Sequence, residues 1–207
     1  PGVKTTPDYA AVLADPDVHG VVLATPASLH AAMTRQALEA GKHVMVEKPL
    51  ALRSDDAAAL VELAAAKNLR LMAGHVCVYN PAVIALRKLV HDGTLGRVQY
   101  LYSARLNLGI VRDDLNALWN LAPHDFSILN YVIGAQPLTI AARGFKLLGR
   151  KLEDVAFVTL EYPGGVIAHV HVSWIDPGKV RRMTVVGDAK MAVYDDVSSD
   201  ERLRIYD

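Results

Sequence analysis

The chain has 207 residues, 52% of them hydrophobic, which is enough for one large domain or two modest ones with packed cores. Twenty-two basic residues balance 22 acidic ones without long like-charge blocks, which argues against a surface for nucleic acid or acidic lipid and for a small-molecule task. No apolar run reaches membrane-spanning length, and a lone cysteine, Cys77, without a charged and apolar leader makes a reducing interior such as the cytoplasm the default.

The first third alternates two patterns. GVVLAT (Gly20 to Thr25), HVMVEK (His43 to Lys48) and LRLMAGH (Leu69 to His75) are β-rich, with apolar residues on both parities, as in strands covered on both faces. Between the first two runs, SLHAAMTRQALEAG predicts a helix capped by Ser28 and stopped by Gly41. Between the second and third, SDDAAALVELAAAKN predicts another, capped by Ser54, with acids in its first turn that suit the helix dipole. The unit is β-α-β-α-β, which right-handed crossovers turn into a parallel sheet with helices on its faces.

After about residue 76 the texture changes. NPAVIALRKLVHDGTLG predicts an amphipathic helix, and RVQYLYSARLNL a strand with one wetter face. PHDFSILNYVIG predicts a second helix, with Pro123, His124 and Asp125 in its first turn. VAFVTLEYPGGVIAHVHVSWI reads as a hairpin around Pro163-Gly164-Gly165, and VRRMTVVGDAKMAVYDD as another around Gly187-Asp188. The layout is α/β over 1–76, followed over 77–207 by an α+β domain with an antiparallel sheet backed by helices.

Ligands of open parallel sheets bind beyond the carboxyl ends of the strands. That rule lines Thr25-Pro26, Glu47-Lys48-Pro49 and His75 along one edge, and aims the N–H groups of the helix near Ser28 at the same crevice, although Thr-Pro and Lys-Pro also serve as ordinary strand breakers. In a first turn the dipole keeps His124 neutral, as a general base requires. Arg105, Asn107, Asn116 and Trp119 lie on or after the strand leading to that helix, placed either to meet a small-molecule ligand or simply as solvated strand-end residues. His169-x-His171 offers two imidazoles on one strand face without a third metal ligand at a telling spacing, so a half-exposed sheet face is the reading and no metal is assigned. Arg181-Arg182 follows Pro177-Gly178-Lys179, as a phosphate contact or a solvated turn.

TPxxxH at Thr25 to His30, AGKHVMVEKPLAL, GHVxxxNPA at Gly74 to Ala82, and a histidine helix after a strand resemble, in that order and spacing, the glucose-fructose oxidoreductase, inositol dehydrogenase and MocA family. The resemblance implies a Rossmann domain with a second domain on an open antiparallel sheet, and an enzyme that uses NAD or NADP on sugars, nucleotide sugars or cyclitols. It makes Lys48 the lysine of the EKP motif and His124 the histidine that exchanges a proton with a sugar hydroxyl. Glu47 then orders the nicotinamide side, and Thr25, Pro26 and His30 match the segment passing along the dinucleotide, with Pro49 completing that turn. In many members an aspartate stands four residues before the histidine; here it is Asn120, which can hydrogen-bond substrate or ring but cannot stabilise an imidazolium by charge. The run from Ala104 to Leu129 is most similar to members acting on nucleotide-activated amino sugars, and the open sheet implies a homo-oligomer paired face to face.

The chemistry is coherent by itself: oxidising a secondary alcohol removes a hydride from carbon and a proton from oxygen, so it needs a base and a positive group beside the developing alkoxide. The G-x-G-x-x-G turn that opens dinucleotide-binding chains is absent from the sequence. The opening residues resemble the helical stretch before the family's fourth Rossmann strand, so the expectation is a chain truncated at both ends, lacking about half of the cofactor domain. Two further readings follow: a relative that uses bound NAD transiently for glycoside cleavage, or a non-catalytic chain that binds a sugar or partner.

Overall fold

Short valine-rich runs pair in parallel when the chain must cross over between them, and the first third obeys that rule. The computed structural model describes residues 2–109 and 111–207. The chain divides into two units, Pro1–His75 and Val76–Asp207. In the first, α1 (Tyr9–Ala14) precedes β1 (Gly20–Leu23), α2 (Ala27–Glu39), β2 (His43–Val46), α3 (Ser54–Ala66) and β3 (Leu71–Ala73). The strands form a parallel sheet in the order β1-β2-β3.

Both predicted serine caps are displaced by one or two residues. Helix α2 is entered from Pro26, whose carbonyl accepts the Leu29 N–H at 2.9 Å, so Ser28 lies within the first turn. Helix α3 begins at Ser54 itself with Arg53 at the cap, and neither cap residue makes a side-chain bond to the helix. Asp55 and Asp56 do occupy the first turn of α3, and Gly41 takes φ +76° just past α2.

The expectation that both sheet faces are covered is overturned. Leu23, Val44 and Val46 pack with Ala37 and Leu38 of α2 and with Leu60 and Ala64 of α3 in one cluster. On the opposite face Val22, Met45 and Met72 stand in register, with Val22 70% and Met72 39% exposed. The reason is topological: two right-handed crossovers that advance the sheet in one direction place both helices on the same side.

The second unit starts with a single 3₁₀ turn, Val76–Tyr79, and continues with α4 (Pro81–His91), β4 (Val98–Leu108), α5 (Ala117–Ile133), β5 (Thr139–Phe145), β6 (Val155–Glu161), β7 (Ile167–Ser173), β8 (Ile175–Gly187), β9 (Met191–Asp195) and β10 (Leu203–Tyr206). Asn80 caps α4 by accepting the Ala82 N–H at 3.0 Å. The seven strands are ordered β10-β9-β8-β4-β7-β6-β5. The sheet is mostly antiparallel; β4 inserts between β7 and β8 and pairs with β7 in parallel, a correction to the all-antiparallel expectation. Arg181 and Arg182 lie on β8 rather than in a turn, paired with Asp196 and Asp195 at 3.5 and 2.9 Å.

Leu86 of α4 and Ile128, Leu129 and Val132 of α5 share a core with Leu101, Val158, Val170 and Val185 of the sheet. The other face of the sheet is open. Tyr100 stacks on Tyr102 there, and Phe157 stacks on His171 at 4.3 Å and His169 at 6.1 Å, which accounts for the His-x-His pair as part of an aromatic patch.

Helix α5 departs most from expectation. It begins six residues before Pro123, capped by Asn116, whose Oδ1 accepts the Trp119 N–H at 2.9 Å. Pro123, His124 and Asp125 therefore sit mid-helix, and the argument from the dipole at a first turn does not apply to them. Asp125 is buried, and its carboxylate accepts bonds from Arg105 Nε at 2.6 Å and from the Ser103 hydroxyl, both on β4. Burial disfavours the Arg105 cation, but the Asp125 carboxylate more than compensates and raises its pKa.

Truncating one partner of a buried pair leaves the other charge uncompensated, at a cost of about 3–5 kcal/mol. Asp125→Ala is therefore expected to lower unfolding stability by that order in urea titrations. Arg53→Ala, which removes an exposed pair with Asp55, should leave the curve in place.

Candidate active site

In the first unit, the residues that follow β1, β2 and β3 gather at one edge because those strands are neighbours in register. The ladder runs one residue beyond the strands, with Glu47 N donating to Leu23 O at 2.9 Å and Gly74 N to Val46 O at 2.7 Å. Glu47 folds its carboxylate over Gly74, where a Cβ would lie 3.3 Å from Oε2, and that oxygen accepts the Lys48 N–H at 3.3 Å. The Lys48–Pro49 peptide is cis.

His30 lies beneath this edge, not along it. It is 1% exposed, with Nδ1 at 2.6 Å from Pro49 O and Nε2 at 2.8 Å from Thr25 O. Both partners are acceptors, so each bond needs a ring N–H, and a neutral ring satisfies one at a time. Sequence reasoning placed His30 against the dinucleotide; the structure makes it the strap between the turns after β1 and β2.

Two buried polar atoms at the edge, Thr25 Oγ1 and His75 Nδ1, have no hydrogen-bond partner among the described residues. Buried polar groups are rarely left so, and a polar ligand at this edge would satisfy them. The residues present thus fit a dinucleotide laid across the strand ends. The His75 pKa is lowered, chiefly by burial; the Glu47 carboxylate opposes this and the Lys48 ammonium adds to it.

In the second unit, His124 projects from the third turn of α5. Its Nδ1 is 3.3 Å from the Cys77 sulfur, and its carbonyl accepts the Ser127 hydroxyl at 2.8 Å. Burial pushes the Cys77 thiol above its ordinary value, against the opposing effect of Arg105. Asn120 is one turn earlier on the same helix face as His124. Trp119, 43% exposed, keeps its indole available, and the Asn107 amide folds against Gly109, where a Cβ would meet Nδ2 at 2.5 Å.

Two residues proposed from sequence as substrate contacts have other work. Asn116 is the cap of α5 and also donates Nδ2 to Glu153 at 2.9 Å, while the Arg105 guanidinium is buried against Asp125. Cys77, Ser103 and Asp125 are the neighbours that sequence reasoning missed. Ser103 and Arg105 carried no signal of their burial: they share a parity with Gln99 and Asn107, the more polar side of VQYLYSARLNL, and only the structure shows that Leu101, Ser103 and Arg105 are the buried residues of that strand.

Residues 1–75 match the family model described as an oxidoreductase family NAD-binding Rossmann fold, and residues 83–193 match the GFO/IDH/MocA C-terminal domain. The chain belongs to the GFO/IDH/MocA oxidoreductase family. Among family relatives, it is 30% identical to a UDP-N-acetylglucosamine 3-dehydrogenase of Acidithiobacillus ferrooxidans over 93% of this chain and 59% of that one. It is 34% identical to a dTDP-3,4-didehydro-2,6-dideoxy-α-D-glucose 3-reductase of Streptomyces violaceoruber over 86% and 47%. The solved structure of the A. ferrooxidans dehydrogenase superposes with a TM-score of 0.85 at 29% identity, covering 98% of this chain and 64% of that one. The chain thus spans about half the length of these curated relatives. Among the described residues no helix is long and apolar enough to cross a membrane.

Replacing His30 with Ala removes both bonds of the strap and opens a cavity, which together cost about 2–5 kcal/mol. His30→Ala should therefore weaken dinucleotide binding and lower the melting temperature of the first unit together, as read by titration and calorimetry.

The pH dependence of His75 has a definite sign. A depressed folded pKa means that the unfolded chain binds more protons, so stability is fully present above the ordinary imidazole value and is lost as pH falls through the folded value. His75→Gln should flatten the acid-side loss of melting temperature relative to the parent chain, which retains it.

Proposed function

We propose that this chain carries the catalytic residues of an NAD- or NADP-dependent enzyme that transfers a hydride between the nicotinamide and a secondary alcohol of a sugar or nucleotide sugar. The observation that carries the reading is the edge beyond β1, β2 and β3. There Lys48 follows the same strand ends as two buried polar atoms, Thr25 Oγ1 and His75 Nδ1, that lack partners among the described residues, in a region matching an NAD-binding Rossmann fold.

The bound nicotinamide supplies the hydride acceptor for oxidation, or the donor for reduction. Thr25, Pro26, Glu47 and Pro49 line the edge that receives the dinucleotide, with His30 holding the two turns together from below. Lys48 places a positive charge beside the reacting oxygen, which stabilises the alkoxide as it forms and lowers the hydroxyl pKa. His124 exchanges the hydroxyl proton, and Asn120, His75 and Trp119 contact the substrate.

The Cys77 contact suits a reversible reaction. With Nδ1–H donating to the sulfur, the Nε2 lone pair accepts the hydroxyl proton in oxidation, and the imidazolium so formed returns that proton from Nε2 in reduction.

Two relatives named for nucleotide sugars, one a dehydrogenase and one a reductase, support a nucleotide sugar as the substrate class. The open aromatic face bearing Tyr100, Tyr102, Phe157 and Ile167 is the surface through which copies of the chain would pair.

Lys48→Ala should abolish turnover, followed by the absorbance of the reduced nicotinamide, while leaving cofactor affinity within a few-fold of the parent. Turnover at the parental rate in that variant excludes this mechanism.

A further inference from the structure

One cationic concavity in the second unit has no part in the reading above. The loops over 111–116 and 146–154 border a cavity of about 420 Å³ whose charged lining is Arg112, Arg150, Lys151 and Asp113, within the range of about 300–1,000 Å³ usual for small-molecule sites. Three cations face one carboxylate there, although the chain as a whole has zero formal charge.

The two guanidinium groups are held by their edges. Arg112 forks Nε and Nη2 onto Asp114 at 2.8 and 2.7 Å, and Arg150 Nη1 reaches Asp113 at 3.2 Å. Each keeps further N–H groups for a ligand, and Lys151 has no ion pair among the described residues. Exposed pairs such as these contribute about 0–1 kcal/mol, so they orient the arginines without tying them up. Planar, oriented arginines with a mobile lysine form a receptor for phosphate oxygens, which accept bidentate bonds from the former and a point charge from the latter.

Position adds to composition. Both loops meet at the start of α5, where Ala117 N donates to Glu153 O at 2.9 Å and Asn116 to the Glu153 carboxylate. From Ala117 to His124 is seven residues along one helix, about 10 Å at 1.5 Å per residue. That separation suits a diphosphate at one end of a ligand and the ring of its sugar at the other.

We infer that this cavity binds the diphosphate of a nucleotide-activated sugar and so orients the sugar ring toward His124. The inference rests on the reading that the substrate is a nucleotide sugar, and its test does not need turnover.

Calorimetric titration of the purified chain with UDP, inorganic pyrophosphate, UMP and NAD separates the outcomes. UDP and pyrophosphate should bind, UMP at least tenfold more weakly than UDP, and NAD should leave UDP binding unchanged. Arg150→Gln combined with Lys151→Gln should weaken UDP at least tenfold with an unchanged melting temperature, because both side chains are at the surface, while Lys48→Ala should retain UDP binding. Absence of UDP and pyrophosphate binding at millimolar concentration, equal affinity in the double variant, or displacement of UDP by NAD overturns the assignment. UDP binding that depends on Arg150 and Lys151 in a chain that transfers no hydride leaves this site standing and removes the catalytic reading instead.

Discussion

A carboxylate in the middle of a helix, packed against a sheet, stays charged only if a cation meets it there. In the larger unit Asp125 meets Arg105 at 2.6 Å, and Ser103 occupies its other oxygen. Against an apolar pair of the same size such an arrangement has little net stability to offer, but it is unforgiving of geometry. Sliding α5 by one residue would rotate Asp125 by about 100° and leave two buried charges apart. The pair thus sets the register of α5 on β4, and with it the direction of His124, the next residue back, toward Cys77.

The smaller unit uses the same device with an imidazole ring in place of an ion pair. His30 reaches two backbone carbonyls from beneath and ties the turns after β1 and β2 into one edge. Neither Asp125 nor His30 needs to touch a substrate to matter. Each fixes, in its own unit, the segment that carries a candidate catalytic residue, and rigid support of this kind is what lets a reactive group keep a productive geometry.

Hydrophobic parity and punctuation made most of the strands, the two hairpins and the parallel order of the first unit legible, because those patterns follow from local geometry, whereas β5 and β10 were not read. The EKP turn, the histidine helix and the family were legible too, since short motifs in fixed order survive without any knowledge of packing. What failed were inferences from residue type at a single position. Pro123 was read as the start of a helix, yet Asn116 supplies a better cap seven residues earlier, and packing of α5 on the sheet outweighs the one backbone bond that proline removes. Arg105 and Asn116 were read as ligand contacts because their types suit sugars, but each had already been taken up, one by Asp125 and the other by Glu153 and the helix start.

By itself the sequence determined most of the segments that become strand or helix, β5, β10 and the start of α5 excepted, that the first three strands run parallel, and that Lys48 and His124 stand at a strand end and on a helix after a strand. Those features depend on neighbours within a few residues. Only the tertiary structure decided which faces are covered, that β4 lies in parallel beside β7, and which polar side chains are consumed internally. Those outcomes depend on residues far apart in the chain meeting in a dry interior, where an unpaired donor or charge is costly and every candidate ligand contact competes with an internal partner.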